Sequence, residues 1–390
     1  MVLADKLKDS RCGKLVPIED QNFAFVPDPL PRQLTLSPSL VYRLDIASRA
    51  VATLAGVGET LSNPHLLITP FLRREAVLSS RIEGTQASLS DVYAYEASGG
   101  GPPERRQDTL EVINYVSALE FGLQRLEDIP ISARLTNEIH AHLLSGVRGA
   151  DSRPGELRER QVWIGAEGTS IGEARFVPPP PHLVRDLMGD WESFANEEIE
   201  MPPLVKAALM HYQFEAIHPY RDGNGRIGRL LIVLFLCSEA VLPTPLLYLS
   251  AYLERNRSAY YDHLLHVSAT GDWTGWLRFF LDGVAEQAKD AIIRSRRLRE
   301  LHDIYRNRLQ DDGASANTLR LLDLLFVNPY TTASASAANL GLTKPAVRAI
   351  LDRLVRLGLV QALPGKWRRV YIARRILDII EAPVASELAT

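Results

Sequence analysis

Two apolar helical runs meet at a segment that no helix can cross. Leu204, Ala208, Met210, Phe214 and Ile217 recur at helical spacing up to His218-Pro219, and a second apolar run opens at Arg226. Between them stands Asp222-Gly223-Asn224-Gly225, where two glycines and an asparagine favour turn or left-handed backbone. The chain is thereby committed to a helix–loop–helix. Amides of the loop and the free N–H groups of the second helix make a concavity for an anion.

The full segment reads HPYRDGNGRIGR, from His218 to Arg229. Arg226 and Arg229, three apart on the first turn of the second helix, can grip phosphate oxygens. Asp222 beside the concavity is a hard-oxygen ligand suited to Mg²⁺, which is held through one or two carboxylates plus substrate phosphates. His218 at the rim can take up a proton near neutral pH. Taken singly, a His before Pro is a helix cap or a packed residue, and DGNG is a surface turn. Together they point to a nucleotide-using transferase more than to a simple hydrolase.

HPYRDGNGRIGR resembles the Fic family motif HPFx[DE]GNGRxxR, with Tyr220 in place of Phe. The resemblance implies transfer of AMP from ATP to a Ser, Thr or Tyr hydroxyl of a target protein. It implies His218 as the base and Asp222 as the Mg²⁺ ligand. Asn224 would steady the α-phosphate, Gly223 and Gly225 would expose amides to phosphate, and Arg226 and Arg229 would bind the β/γ-phosphates. Gly225 also separates the chain from the related Doc kinases, which carry Lys at that place.

Ser79-Ser80-Arg81-Ile82-Glu83-Gly84 fits the family's inhibitory-helix motif [ST]xxxE[GN], with Ser79 and Glu83 four apart on one helix face. The resemblance implies that Ser79, Glu83 and Gly84 form an inhibitory element, the Glu83 carboxylate taking the γ-phosphate's place beside Arg229. The segment Arg160–Phe176, with its glycine-spaced tip, is expected to form a β-hairpin similar to the family's flap, which pairs with the target backbone by strand addition. Tyr260 and Tyr261 either close over adenine, as in the family, or serve as core aromatics.

Elsewhere the pattern is helical. The first 35 residues are Pro-rich and expected to be irregular. Helices are expected near 38–58, 70–84, 108–123, 132–144, 182–196, 203–217, 225–240, 250–267 and 273–293, then a separate charged helical stretch, Arg294–Leu309. Between Ser315 and Asp378, ten basic residues face three acidic ones, a local +7. The other residues therefore carry −10 of the total −3. The order helix, helix, helix, hairpin in this region resembles a winged helix-turn-helix. Lys344 and Arg348 on its third helix and Lys366, Arg368 and Arg369 at a basic tip are the candidate DNA contacts, with a protein-binding or dimerisation role as the alternative.

The expected fold is thus mainly α, a Fic-type helical core with a β-hairpin flap plus a C-terminal winged-helix domain. It divides into an N-terminal module with the inhibitory helix (1–105), a catalytic core (106–295), a linker helix (296–314), a winged helix-turn-helix (315–380) and a tail (381–390). The expected function is a protein adenylyltransferase that modifies a target and itself, autoinhibited by Glu83, with ATP as substrate and Mg²⁺ as cofactor. The alternatives are a DNA-binding regulator whose Fic core senses ATP, or a Glu83-dependent enzyme that removes AMP. A homodimer is expected by resemblance. Two cysteines, Cys12 and Cys237, fit a reducing compartment. The longest apolar run, Leu230–Cys237, is far short of the roughly 20 residues of a membrane span, and the N-terminus lacks a signal peptide's apolar centre, so the expected location is cytoplasmic.

Overall fold

Part of the Pro-rich N-terminal stretch is a regular hairpin where irregular chain was expected. Strands β1 (Gly13–Pro17) and β2 (Phe23–Pro27) pair antiparallel, with Gly13 opposite Pro27 and Pro17 opposite Phe23. Their prolines fall at strand ends, where a missing N–H costs no ladder bond. The computed structural model describes residues 6–59, 65–99, 103–148, 153–166, 168–363 and 369–382.

Helices follow: α1 (Pro38–Glu59), α2 (His65–Ile82), α3 (Leu89–Ser98), α4 (Arg106–Arg125), α5 (Ala133–Leu143), α6 (Pro181–Asn196), α7 (Pro203–Ile217), α8 (Asn224–Ser238), α9 (Ser250–Arg255), α10 (Arg257–Thr270) and α11 (Trp273–Asp311). The C-terminal unit holds α12 (Ala316–Val327), β3 (Tyr330–Thr332), α13 (Ala333–Leu340), α14 (Lys344–Arg356), β4 (Gln361–Leu363), β5 (Val370–Ile372) and α15 (Arg374–Glu381).

The core is built around the hairpin of α7 and α8. From Leu204 to Ile217 every residue of α7 except Glu215 is buried, and α8 is buried over most of its length, the signature of helices enclosed on all sides. Trp276 Nε1 donates to Ala208 O (2.9 Å) and Trp191 Nε1 to Met210 O (3.0 Å), so neighbouring helices are bonded to α7 as well as packed on it. On α2, buried Glu75 accepts from Ser250 N (3.2 Å) at the start of α9, which ties the helix carrying Ser79 to the core.

Several boundaries differ from the sequence expectation. α2 begins at His65 and carries Pro70 inside it. The helix expected over 250–267 breaks at Asn256, whose side-chain amide donates to Tyr252 O (2.9 Å) and competes with the backbone ladder. The helices expected at 273–293 and 294–309 are one rod, α11, because Arg294, Leu298, Leu301, Tyr305 and Leu309 continue its buried stripe. Within Arg160–Phe176 the strand pairing is one antiparallel bridge, Ile164 with Phe176, followed by a 3₁₀ turn at Ile171–Glu173. β2 lies against this segment: Phe25 N donates to Val177 O (2.9 Å), and the Phe25 and Phe176 rings meet edge-on.

In the C-terminal unit the strand order is β3-β5-β4, all antiparallel. β3 and α15 were not anticipated. Thr332 and Thr343 side chains cap α13 and α14, and Gly341 ends α13 in left-handed backbone. The unit is fastened to the body by the Tyr93–Tyr330 stack and by Arg294. That guanidinium donates to Ile379 O, Ile380 O and Ala382 O at the end of α15 while pairing with Asp290. No helix among the described residues is long and apolar enough to cross a membrane.

Candidate active site

The break between α7 and α8 is executed by unusual backbone at both ends. His218 closes α7 in the left-handed region (φ 51°), and Gly223 precedes α8 with φ 79°. A β-carbon disfavours that region, so His218 is held there by its surroundings. Arg158 does the holding. Its Nε donates to His218 O (2.8 Å), its Nη2 to Ile217 O (3.3 Å) and Pro179 O, and its own N–H to Pro219 O (2.9 Å). Only 3% of Arg158 is exposed.

A second set of contacts shapes the loop from the other side. His140 stacks on Tyr220 (3.9 Å, 9° between planes). His140 Nδ1 accepts from Gly155 N (2.8 Å), which leaves Nε2 as the protonated nitrogen that donates to Asp222 O (3.0 Å). Asn224 spends both ends of its amide on the backbone of Tyr220: Oδ1 accepts from its N–H (2.8 Å) and Nδ2 donates to its carbonyl (2.9 Å). The residue expected to steady an α-phosphate is therefore the staple of the turn.

Charge is distributed unevenly. Arg226 is 4% exposed, yet its Nε and Nη1 have no hydrogen-bond partner among the described residues, and Glu111 Oε2 is 3.7 Å away. Arg229 is engaged: Nε donates to Ser79 Oγ (2.9 Å), and Nη2 to Ser79 O (3.0 Å) and Glu83 Oε1 (2.6 Å). Burial alone would raise the Glu83 carboxyl, but Arg229 outweighs it and holds it below the usual carboxylate range. Burial likewise opposes the Arg229 charge, and Glu83, together with Tyr260, Tyr261 and Glu215, more than restores it. The Glu83 side chain is 34% exposed against 1% for Arg229, so the carboxylate is the partner free to leave.

His218 and Glu83 line one cavity with Phe176, Arg229, Tyr261 and Leu265. Burial, aided by the Arg158 charge, pulls the His218 imidazole down to about 4. A neutral ring can accept a proton. Asp222 lies at the rim with a 47% exposed side chain; its Oδ1 accepts from Gly223 N (2.6 Å) and stands 3.6 Å from Arg226 Nη2. Among the described residues no three His, Cys, Asp or Glu side chains form a metal cage. One exposed carboxylate beside a phosphate cradle fits Mg²⁺ held jointly with substrate phosphates, and fits no all-protein metal site.

The two tyrosines separate. Tyr260 lies in the core, fully buried with its hydroxyl bonded to His211 Nε2 (2.7 Å), which removes it from any place over a base; Tyr261 lines the cavity beneath Arg175. Lys344, Arg348 and Arg369 are exposed, Arg369 lying 3.9 Å from Asp352, whereas Lys366 and Arg368 fall outside the described residues. His140, Arg158 and Glu111 escaped the sequence reading.

With this geometry in place, comparison with known proteins is decisive for the domains. The Fic/DOC family N-terminal model matches residues 41–124, and the Fic/DOC family model matches residues 130–236. The chain carries Fic/DOC family domains.

The N-terminal Fic/DOC match contains Ser79 and Glu83, and the second contains the loop from His218 to Arg229. "Protein adenylyltransferase fic-1" of Caenorhabditis briggsae is 31% identical over 219 residues, 55% of this chain and 39% of that protein. "Protein adenylyltransferase Fic" of Culex quinquefasciatus is 33% identical over 147 residues, 37% of this chain and 26% of that protein. The chain thus spans well under half the length of these curated relatives. A solved Fic family protein from Desulfovibrio desulfuricans G20 shares the fold at a TM-score of 0.57 and 20% identity, covering 87% of this chain and 97% of that one. Caenorhabditis elegans Fic-1 superposes at 0.52 and 25% identity, covering 68% and 75%.

Proposed function

We propose that the chain is a protein adenylyltransferase held in check by its own Glu83. The observation that carries this reading is the state of the two arginines at the start of α8. Arg226 has buried donors without partners among the described residues, and Arg229 has Nε and Nη2 engaged by Ser79 and Glu83.

In the proposed reaction a Ser, Thr or Tyr hydroxyl oxygen forms a bond to the α-phosphorus of ATP. The bond from that phosphorus to the bridging oxygen breaks, pyrophosphate leaves, and the hydroxyl proton passes to His218. His218 is suited to this because burial keeps it neutral. Arg226 and the amides at the start of α8 meet the phosphate charge. Asp222 would hold Mg²⁺, which when bound neutralises phosphate charge. Glu83 blocks the γ-phosphate by satisfying Arg229 and by placing a negative charge where another must enter. The segment Arg160–Phe176 serves as the flap that presents the target.

The test uses ATP labelled at the α-phosphate with Mg²⁺ and three proteins: wild type, Glu83→Gly and His218→Ala. Strong labelling, including self-modification, is expected in Glu83→Gly alone. Absence of label in all three overturns the transferase reading, and Glu83-dependent loss of AMP from a modified target supports the reverse reaction.

A second reading concerns the C-terminal unit, which we propose is a winged helix-turn-helix with α14 as its recognition helix. The exposed Lys344 and Arg348, one turn apart near the start of α14, favour duplex DNA. Salt-sensitive retardation of duplex DNA, lost in Lys344→Ala/Arg348→Ala, is the expected result; no binding at low salt overturns it.

A further inference from the structure

The cleft contains a second carboxylate to which the transfer chemistry gives no task. Glu215 lies on α7, one turn before His218, and lines the same cavity as His218, Gly225 and Arg229. Its side chain is 12% exposed, and its buried Oε1 has no hydrogen-bond partner. His211 Nε2 is 4.0 Å away and already engaged with the Tyr260 hydroxyl. That oxygen is enclosed by protein, so what the cavity reaches is the remaining, partly exposed part of the side chain.

The surroundings are built to accommodate it. A Cβ at position 228 would overlap Glu215 Oε1, so Gly228 is the notch in α8 that receives the carboxylate. Burial pushes the Glu215 carboxyl up to about 7, with Arg229 acting against the shift and Glu83 adding to it. The cavity also has an apolar wall that includes Ile164, Phe176, Leu264 and Leu265.

What reaches Glu215 follows from position, and rests on the reading above. The reacting α-phosphate lies between His218 and the start of α8, so the phosphates are directed to the cradle and away from a like-charged carboxylate. The group joined to the α-phosphate on its other side is the ribose, one carbon away. Glu215 stands one helical turn, about 5 Å, behind His218. A carboxylate accepting from a ribose hydroxyl is the pairing by which dinucleotide folds read the sugar. The apolar wall is left for the base. We propose that Glu215 reads the ribose of the nucleotide, its carboxylate accepting from the 2′- or 3′-hydroxyl.

Calorimetric binding of nucleotides to the Glu83→Gly protein tests this, with Glu215→Met and Glu215→Gln added in that background. Met matches the length of Glu and removes both oxygens, while Gln retains one acceptor. The Glu83→Gly protein should bind ATP about tenfold more tightly than 2′,3′-dideoxy-ATP. With Glu215→Met the two nucleotides should bind alike, near the dideoxy level, and Glu215→Gln should fall between. Comparison of 2′-deoxy-ATP and 3′-deoxy-ATP then tells which hydroxyl is read. A merely structural role would weaken every nucleotide equally and leave the ratio unchanged, which overturns the proposal. So does discrimination that survives Glu215→Met, or a ratio of ATP to GTP that moves with Glu215 while the dideoxy ratio does not. Failure of the underlying reading looks different: no binding of ATP by the Glu83→Gly protein at all, in which case both fall.

Discussion

The Glu83 carboxylate occupies the space that a side chain at position 225 would need. A β-carbon there would overlap Glu83 Oε1 and press on Arg229 Nη1. Glycine at 225 thus does more than leave amides open to phosphate. It also leaves room for a residue 142 positions earlier in the chain.

Gly225→Ala should therefore destabilise the wild-type protein by about 1–3 kcal/mol, the usual cost of overpacking. In the Glu83→Gly background most of that cost should vanish, because only the mobile end of Arg229 remains in the way. Urea unfolding of the two single variants and the double variant gives the coupling directly. Equal costs in both backgrounds would mean that Glu83 does not sit against Gly225.

Ser79 offers Arg229 both its hydroxyl and its carbonyl. Ser79→Ala removes the hydroxyl and leaves Arg229 Nε buried without an acceptor, which should cost about 1–3 kcal/mol. The carbonyl and Glu83 still bind the guanidinium, so the loss should be smaller in unfolding experiments than that of Arg229→Ala, which strands Glu83 and Ser79 together.

Arg158 spreads one guanidinium over the carbonyls of His218, Ile217 and Pro179. A lysine ammonium is a point donor and cannot span three carbonyls in a plane. Arg158→Lys and Arg158→Ala should both lower stability, by about 2 kcal/mol or more, and both should reduce AMP transfer by releasing His218 from its left-handed backbone. Full activity in Arg158→Lys would show that charge alone suffices.

Acid should weaken the fold before it denatures the surface. Burial holds His140 and His218 at about 4 and His211 at about 3, below their ordinary 6.5. A folded value below the unfolded one stabilises fully above 6.5 and loses that contribution as pH falls toward 4. Glu215 acts oppositely: its folded value near 7 lies above the ordinary 4.5, so its contribution is full at low pH and lost as pH rises through 7. His263 is lowered too, and Glu75 and Glu381 are raised with Glu215; four histidines against three carboxyls give net destabilisation between pH 6.5 and 4. Thermal melting should drop across that interval, and a melting temperature as high at pH 4.5 as at pH 7 would rule out neutral burial of these rings. For the same reason AMP transfer should show no acid limb near 6.5.

The candidate site was legible where its information is local. The loop from His218 to Arg229 packs glycines, a carboxylate and three arginines into twelve consecutive residues, and Ser79 and Glu83 are one helical turn apart. Arg158 and His140 were not legible, because they reach the loop across sequence separations of 60 and 82 residues and bind backbone atoms that carry no residue-specific signal. Tyr260 and Tyr261 are adjacent and of one type, and only packing sends the first into the core and the second to the cleft. The N-terminal hairpin hid behind its prolines, and the division of α11 at Arg294 mistook charge for exposure, since that arginine is 1% exposed.

The continuity of α11 also decides what kind of machine the chain can be. A helix of 39 residues is a strut about 58 Å long. One end packs beside α7 through Trp276, and the other leads into α12 across the short turn 312–315, with no proline along the helix. A load taken up at the far end arrives at the near end as rotation of a rigid bar instead of dissipating in a tether. Arg294 and Arg74 meet Asp290 midway along it, the second from the helix that ends at Ile82, just before Glu83. A torque on the C-terminal unit therefore has a mechanical fulcrum within reach of the lock on Arg229.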